Sequence, residues 1–281
     1  MNISVFIAVL TAAAAHAGWN AVIKGGGTPL VTTAVMTFAA AVVGLPLLAI
    51  TGLPHAAAWP WAIASVVIHI VYFGCLIETY RYGDMSHVYP IARGGAPLFV
   101  ALGGVVLLGE HLSWHAWAGL LLLVGGVLLL SLGGARGGAP VDPRGVRYAL
   151  LTALTICAYT LVDGVGARQS GNSISYTAAL FVGCGVAMLG YLLWRGGRET
   201  LTEMSRHWRV GALGGGMQVV SYGIAIWAMT VAPIALVAAL RETSVLFGTL
   251  IAVFFLKEPL NLVRIVAVAL VLGGLLMLRL A

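Results

Sequence analysis

The chain of 281 residues carries a formal charge of +6, and 60% of its residues are hydrophobic against 9% that are charged. Its mean hydropathy is +1.01. Soluble globular domains contain about 25% charged residues, so the composition excludes a soluble enzyme or binding domain and indicates an integral membrane protein. The polar connections are short, which also excludes a separate soluble catalytic domain.

Ten apolar stretches follow one another along the chain. A helix needs about 20 apolar residues to cross the hydrocarbon core of a bilayer. We therefore predict an all-α integral membrane protein with ten transmembrane helices, near residues 3–23, 29–51, 59–80, 86–108, 114–133, 146–167, 174–194, 208–230, 233–256 and 262–280. The first stretch contains a sequence like a signal-peptide cleavage site, but no Lys or Arg precedes it, so we expect it to be retained as a span.

The two halves of the chain are copies of each other. Sliding residues 86–132 forward by 148 positions places Arg93 on Arg241 and Glu110 on Glu258. Each half contains five of the apolar stretches. We therefore predict two five-helix repeats joined by a Gly-rich linker, with the first repeat at 1–133, the linker at 134–145 and the second repeat at 146–281.

An odd number of crossings makes the second repeat enter the membrane from the opposite side, so the repeats are inverted. Inverted repeats around a central cavity are typical of secondary transporters, whose repeats rock about a site near the bilayer midplane. Outside the spans, Lys and Arg are concentrated in the odd-numbered loops, and the other side holds only Arg168 and Arg279. The positive-inside rule then predicts cytoplasmic odd-numbered loops and both termini outside.

Arg93 and Arg241 lie inside apolar stretches at equivalent positions of the repeats. A guanidinium stays charged at working pH, and a charge at membrane depth is costly, so its presence indicates a function. One interpretation is a site for a carboxylate, phosphonate or similar anionic group, because forked guanidinium donors suit such oxygens. The other is an internal ion pair with Glu78, Glu242 or Asp163. Both interpretations stay open, and one does not exclude the other.

Polar and aromatic side chains recur at helical spacing on equivalent spans of the two halves. In the first span, for example, His16 and Asn20 are four residues apart and share one face. The fourth span, which contains Pro90 and Pro97, is predicted to be the most irregular. We predict that the substrate contacts Arg93 and Arg241 together with His16, Trp19, Asn20, His69, Tyr72, Tyr89, Tyr159, Gln218 and Tyr222.

Acidic side chains in or near the spans are candidates for proton coupling, because a shielded carboxyl can hold and release a proton as the site changes sides. Asp163, Glu242 and Glu78 are those candidates. His16 and His69 could relay protons instead, or be buried donors with satisfied hydrogen bonds. The equivalent residues Glu110 and Glu258 are predicted to cap the helix that follows each of them.

No motif in the chain predicts a bound cofactor or metal. His111 and His115 have a spacing that can hold a metal, but a third ligand is not evident. The expected partners are a small-molecule substrate, the lipid bilayer and, as a coupling candidate, protons. We expect no nucleic-acid partner, since the positive charge follows the membrane topology, and we expect a monomer or a homodimer.

Several of these features occur together in one known family. Ten spans in two repeats, Trp19-Asn20 followed by Lys24, and Gly109-Glu110 matched by Lys257-Glu258 resemble the drug/metabolite transporter (DMT) superfamily, specifically its EamA type. The resemblance implies a ten-helix bundle around a cavity lined by spans one, three, four, six, eight and nine. It also implies transport of amino acids, other small metabolites or drugs, often outward. Family members are usually drawn with cytoplasmic termini, whereas the loop charges here predict the opposite.

The sequence thus predicts a secondary transporter in a bacterial-type inner membrane. It would carry a small polar metabolite, anionic or zwitterionic, such as an amino acid or a related acid, by alternating access, with export as one direction. Two alternatives remain. A membrane-embedded enzyme acting on a lipid or isoprenoid could use His16 or His69 as a base, and a facilitative channel would pass substrate without saturation.

Overall fold

A computed structural model describes residues 1–24, 29–82, 85–132, 142–196, 199–254 and 262–281. These residues form helices and short connections, and the described ranges contain no β-strand. The first half contains α1 (Ile3–Lys24), α2 (Pro29–Thr51), a short 3-10 turn (Ala56–Ala58), α3 (Trp59–Tyr82), α4 (Met85–Leu108) and α5 (Trp114–Leu132). The second half contains α6 (Pro143–Gln169), α7 (Ser173–Gly196), α8 (Glu199–Arg206), α9 (Trp208–Val231), α10 (Ile234–Arg241), α11 (Ser244–Phe254) and α12 (Leu262–Leu280).

The helices confirm the predicted membrane fold. Within the described ranges, seven helices are long and apolar enough to cross a membrane. α1 and α5 are 22 and 19 residues long, and the ninth span consists of α10 followed by α11. The chain is therefore an all-α integral membrane protein. The sequence did not predict the eight-residue helix α8, which lies in the connection between α7 and α9.

Asp142 fixes the start of α6, the helix that opens the second half. Its side chain accepts a hydrogen bond from the backbone N–H of Arg144 at 2.8 Å, and Pro143 occupies the first helical position. The guanidinium of Arg144 also donates to Asp142, with Nη2 3.0 Å from Oδ2. These hydrogen bonds from Arg144 lower the pKa of the Asp142 carboxyl below its ordinary value. The linker therefore ends in a capped helix start.

The helices pack in pairs that the internal repeat relates to one another. α1 packs against α9 and α3 against α6, while α2 packs against α7 and α5 against α12. In the repeat, α1 is equivalent to α6 and α9 to α3, so the α1–α9 pair corresponds to the α6–α3 pair. The α2–α7 and α5–α12 pairs each consist of two equivalent helices. The packing of α4 against α6 likewise has its counterpart in the packing of α10 and α11 against α1. This is the packing expected of two inverted five-helix repeats.

The contact between α5 and α12 carries the same symmetry at atomic detail. A Cβ placed on Gly274 would lie 2.8 Å from the carbonyl oxygen of Gly119 and 2.8 Å from the backbone nitrogen of Leu123. The equivalent glycine, Gly126, faces the backbone of Ala267 and Val271 in the same way. Small residues let membrane helices approach this closely. The last helices of the two repeats therefore meet backbone to backbone.

Gly274→Ala is expected to destabilise the protein by about 1–3 kcal/mol, because the new methyl group would overlap backbone atoms that cannot move alone. Gly273→Ala is the matched control, since its nearest neighbour, Leu122 Cδ1, would lie at 4.0 Å from the new Cβ. Thermal unfolding of the two variants in the same detergent measures the difference. Equal unfolding temperatures for both variants would contradict the backbone contact.

The irregular span lies in the second half, whereas the sequence predicted it in the first. α4 is helical from Met85 to Leu108 in spite of its two prolines. Its counterpart, the ninth span, is interrupted after Arg241, where two residues form a turn before α11 begins at Ser244. The hydroxyl of Thr243 donates to the carbonyl of Leu240 at 2.7 Å. Such side-chain bonds to the backbone compete with continuation of a helix.

The two ends of the chain lie on the same side of the bundle. Nη1 of Arg279 donates to the carbonyl oxygen of Met1 at 3.0 Å. This contact agrees with an even number of crossings between the termini. The side that carries both termini is called the termini side below. Whether that side faces the cytoplasm or the outside stays a prediction from the loop charges.

Candidate functional site

The buried charged side chains gather in the middle of the bundle, between α1, α4, α6, α9 and α10. We call this cluster the central site, and its charged members are Arg93, Asp163, Arg241 and Glu242. The break between α10 and α11 places the consecutive residues Arg241 and Glu242 there. All four are buried, and Asp163 is fully buried at 0% exposure. The sequence prediction that the two repeats bring their equivalent arginines toward one place agrees with this arrangement.

Arg93 forms an ion pair inside the bundle. Its Nη2 lies 3.2 Å from Oε1 of Glu242 and 3.2 Å from Nε2 of His16. The exposed fractions of the two charged side chains are 9% for Arg93 and 6% for Glu242. The internal ion pair that the sequence left as an alternative is therefore present, with Glu242 as the partner. The pair joins α4 of the first repeat to the helix break of the second.

Arg241 is held against an aromatic ring. Its Cζ lies 4.8 Å from the ring centroid of Tyr222, a distance typical of a cation–π contact. Among the described residues, neither Nε of Arg241 nor Oε2 of Glu242 has a hydrogen-bond partner. Buried polar atoms in folded proteins are nearly always bonded. These two adjacent side chains therefore retain bonding capacity that the protein does not use in this conformation.

Asp163 is fixed by two tyrosines. Its Oδ2 accepts a hydrogen bond from the hydroxyl of Tyr222, and its Oδ1 accepts one from the hydroxyl of Tyr176 at 3.0 Å. Tyr222 therefore contacts both Asp163 and Arg241. Sequence reasoning missed Tyr176, because α7 was not among the spans expected to line the cavity. The full burial of Tyr176 is visible only in the structure, so no sequence signal identified this residue.

Aromatic rings form one wall of the central site. The rings of His69 and Tyr159 are stacked with centroids 4.2 Å apart, and Tyr72 and Tyr222 lie edge-on to Tyr159 at 5.7 Å and 6.0 Å. Nδ1 of His69 is 2.8 Å from the carbonyl oxygen of Ser65. That carbonyl can only accept a hydrogen bond, so Nδ1 of His69 carries a proton and donates it. Nε2, on the other side of the ring, does not take part in this bond.

A second histidine lies beside Arg93. The ring of Trp19 meets the ring of His16 edge to face, with centroids 4.8 Å apart. Because the Arg93 guanidinium is a donor, Nε2 of His16 is the acceptor in their contact. Both histidines that the sequence singled out are therefore held by hydrogen bonds within the bundle.

The space within the central site is small in this conformation. A cavity of about 10 Å³ is lined by the two arginines and Glu242, with Pro97, Tyr159 and Ala238 among its other lining residues. That is room for about one water molecule, whereas pockets for small ligands measure about 300–1,000 Å³. The bundle is therefore closed around the charged groups, and helices must move before a metabolite can enter.

The structure places one predicted site residue, Glu78, outside the central site. Glu78 lines a separate cleft of about 500 Å³ between α3, α6 and α7, where it lies 3.7 Å from Arg81. Gln218 is half-buried on α9, one turn before Tyr222. The side chains of Asn20 and Tyr89 fall outside the part of the chain that the structure describes.

Glu110 caps a helix of the other repeat, so the prediction that it caps the next helix is wrong. Its carboxylate accepts from the backbone N–H of Ile234 at 2.7 Å and of Ala235 at 3.3 Å, at the start of α10. Nη2 of Arg168 donates to the same carboxylate at 3.2 Å. The guanidinium of Arg168 also donates to the carbonyl of Met229 at 2.9 Å. Its equivalent, Glu258, falls outside the described residues.

These contacts form one group on the termini side, which we call the clamp: Glu110, Arg168 and the backbone from Met229 to Ala235. The clamp joins the connection after α4 to the ends of α6 and α9 and to the start of α10. It links the two repeats on that side of the bundle.

The described residues form ten spans in two inverted halves packed around a buried charged site, and this defines an integral membrane protein with the architecture of a secondary transporter. The chain belongs to the EamA-like transporter family, part of the drug/metabolite transporter superfamily, and the family model matches residues 3–132 and again 143–280. A solved crystal structure with 18% sequence identity has the same fold, with a TM-score of 0.73 over 98% of this chain and 95% of that one. A search of curated proteins gives no match.

Proposed function

We propose that the protein moves a small anionic or zwitterionic metabolite, such as an amino acid or a related acid, by alternating access. In this proposal Arg241 and Arg93 bind the acidic group of the substrate. The observation that carries it is the presence of two permanently charged guanidinium groups around one cavity, where Glu242 is the single carboxylate among the described lining residues. The family supports a transporter, and these charges support the class of substrate.

Arg241 is the stronger candidate for the first contact with the substrate. Its guanidinium is buried against Tyr222 and forms no ion pair with a described carboxylate, whereas Arg93 is paired with Glu242. Its Nε has no hydrogen-bond partner among the described residues. A carboxylate or phosphonate accepts two parallel bonds from such a group. Hydrogen bonds to charged groups contribute about 1.5–3 kcal/mol each. An acidic group would therefore satisfy a donor that the closed bundle leaves unused.

The carboxylates of the site provide for the other end of a zwitterion. Glu242 has a buried oxygen without a hydrogen-bond partner in the described part of the chain, and Asp163 lies behind Tyr222. In our proposal one of them receives a substrate ammonium group or a coupled proton. The aromatic wall of Tyr72, Tyr159 and Tyr222 then covers the body of the substrate.

We further propose that the protein works in a bacterial-type inner membrane with its odd-numbered loops in the cytoplasm. The excess of Lys and Arg in those loops supports this orientation. The clamp on the termini side would then close the central site from outside. Alternating access requires the clamp to separate when the site opens to that side.

Arg241→Gln is expected to lower the initial rate of uptake of acidic compounds by about 10- to 100-fold, because the substrate loses at least one charge-assisted hydrogen bond. The measurement is uptake into proteoliposomes with a panel of amino acids, phosphonates and organic acids. Arg209→Gln is the matched control, since Arg209 lies at the start of α9, outside the central site.

Two outcomes would contradict the proposal. If Arg241→Gln transports every acidic compound at the wild-type rate and is folded, the arginine does not bind the substrate. If unlabelled substrate on the opposite side never accelerates uptake and the rate does not saturate, the protein is a channel and not an alternating-access carrier.

A further inference from the structure

We propose that Glu242 is a tethered competitor for the substrate: its carboxylate occupies the anion-binding place on Arg93, and an acidic substrate binds by displacing it. This inference rests on the proposed function, and it adds a residue that sets which acids the site accepts. It would make the ion pair a feature of the unloaded protein that is broken in every transport cycle.

The first support is the geometry of the pair. Oε1 of Glu242 lies 3.2 Å from Nη2 of Arg93, which is where an oxygen of a bound carboxylate would lie. The other oxygen of Glu242 has no hydrogen-bond partner among the described residues. A static structural ion pair buried this deeply would be expected to satisfy both oxygens. Among the described residues, Glu242 instead bonds through one of its two oxygens, as a ligand that must leave would.

The second support is the shape of the site. The cavity of about 10 Å³ between the two arginines and Glu242 has no room for a second carboxylate. A substrate that binds Arg93 must therefore take the place that Glu242 holds. Both guanidinium groups and the Glu242 carboxylate line this cavity, so an acid that enters it meets Glu242 beside both arginines.

The third support is the position of Glu242 in the backbone. It is the residue directly after α10, and its N–H bonds to the carbonyl of Ala239 at 3.1 Å. Residue 243 continues the turn, and α11 starts only at Ser244. A side chain at such a junction can change direction with a small shift of the turn, without unwinding either helix. The Glu242 side chain can therefore leave Arg93 without disrupting α10 or α11.

Competition of this kind lowers the apparent affinity for acids. When a site is open only for a fraction of the time, the apparent dissociation constant equals the intrinsic constant divided by that fraction. Weak anions would fail to displace Glu242, whereas acids that bind both Arg93 and Arg241 would succeed. The tethered carboxylate therefore selects for substrates that use both arginines.

Glu242→Gln is expected to bind acidic compounds at least about 10-fold more tightly than the wild type, which corresponds to Arg93 being open less than about a tenth of the time. Binding of L-aspartate, succinate and methylphosphonate to the purified protein is measured by titration calorimetry. Glu78→Gln, in the separate cleft, is the matched control and should leave all affinities unchanged. Arg93→Gln/Glu242→Gln should lose the gain, because the contested cation is gone.

The outcomes separate the inference from the function on which it rests. If the wild type and Glu242→Gln bind none of the acids while a neutral or cationic compound is transported, the proposed substrate class is wrong. If the wild type binds an acid and folded Glu242→Gln binds it no more tightly, the competitor role alone is wrong. Should Glu242→Gln not fold, Glu242→Asp, whose shorter side chain weakens the pair, must show a smaller gain in affinity for the role to stand.

Discussion

Arg93→Gln is expected to lower the free energy of unfolding by about 3–5 kcal/mol, because it leaves the Glu242 carboxylate buried without its charged partner. The exposed fraction of the Glu242 side chain is 6%, so water cannot replace the lost guanidinium. Most of the cost comes from the carboxylate that remains, and only a small part from the contact itself.

A double-mutant cycle separates these two parts. Arg93→Gln/Glu242→Gln is expected to recover most of the lost stability, because neither remaining amide carries a charge and two amides can bond to each other. Thermal unfolding of the wild type, both single variants and the double variant in one detergent gives the coupling energy. Strictly additive effects would mean that the two side chains are not paired in the folded protein.

The same cycle constrains the transport model. An ion pair that joins α4 to the break between α10 and α11 holds the two repeats together in the closed conformation. If transport requires this link to open, the pair must not be too stable. A coupling energy near or below about 3 kcal/mol, the lower limit expected for the cost of Arg93→Gln, therefore agrees with a link that is broken in every cycle.

The sequence predicted the helices and the repeat well. The predicted boundaries of spans two and ten, at 29–51 and 262–280, are those of α2 and α12. Apolar length sets these limits, because a bilayer requires about 20 residues per span whatever the neighbouring helices do. The slide of 148 positions also places Gly126 on Gly274, and the structure shows both glycines in matching contacts.

The helix break could not be placed from the sequence. Proline is the usual signal for an interruption, yet α4 continues through Pro90 and Pro97. The break follows Arg241 instead, where the chain contains neither Gly nor Pro. The Arg93–Glu242 pair and the Thr243 hydroxyl bond both act at this turn. Arg93 comes from a distant part of the chain, so the local helix propensity around residue 242 gives no indication of the ion pair.

The partners of the site residues were predictable only as a set of possibilities. Arg93 had three candidate carboxylates in the sequence, and the fold selects Glu242 because α4 crosses the second repeat at the helix break. Glu78 lies on another face of α3 and reaches a different cleft. Tyr176 contacts Asp163 from α7, a helix whose apolar sequence gave no sign of facing the site. Such choices depend on helix packing and not on composition.

Glu110→Ala is expected to lower the free energy of unfolding by about 2–4 kcal/mol, because one carboxylate satisfies three donors. The backbone N–H groups of Ile234 and Ala235 at the start of α10 lose their acceptor, and Arg168 loses its partner. The Arg168 side chain is 37% exposed, so water compensates part of its loss. The two amides are at a buried helix start, where loss of a cap is costly.

The local backbone explains why the Glu110 carboxylate reaches the start of α10. Gly109 adopts a φ of +66° after α4, which turns the chain back, and the N–H of Glu110 bonds to the carbonyl of Gly104 at 2.9 Å. A Cβ on Gly104 would lie 2.9 Å from Oε2 of Glu110. The carboxylate is thus held in a fixed position beside α4 and points at α10. The clamp therefore couples the end of one repeat to the helix that carries Arg241.

The functional consequence of Glu110→Ala follows from this coupling. Without the clamp, the start of α10 is expected to separate more often from the connection after α4, so the central site opens more often to the termini side. In a variant that also carries Ala238→Cys, a cavity-lining position, labelling by a membrane-impermeant maleimide from that side should become several-fold faster. His111→Ala, at the exposed neighbour of Glu110, is the matched control. If Glu110→Ala lowers the unfolding temperature but leaves the labelling rate unchanged, Glu110 contributes stability and does not control access, because a closing contact must change both.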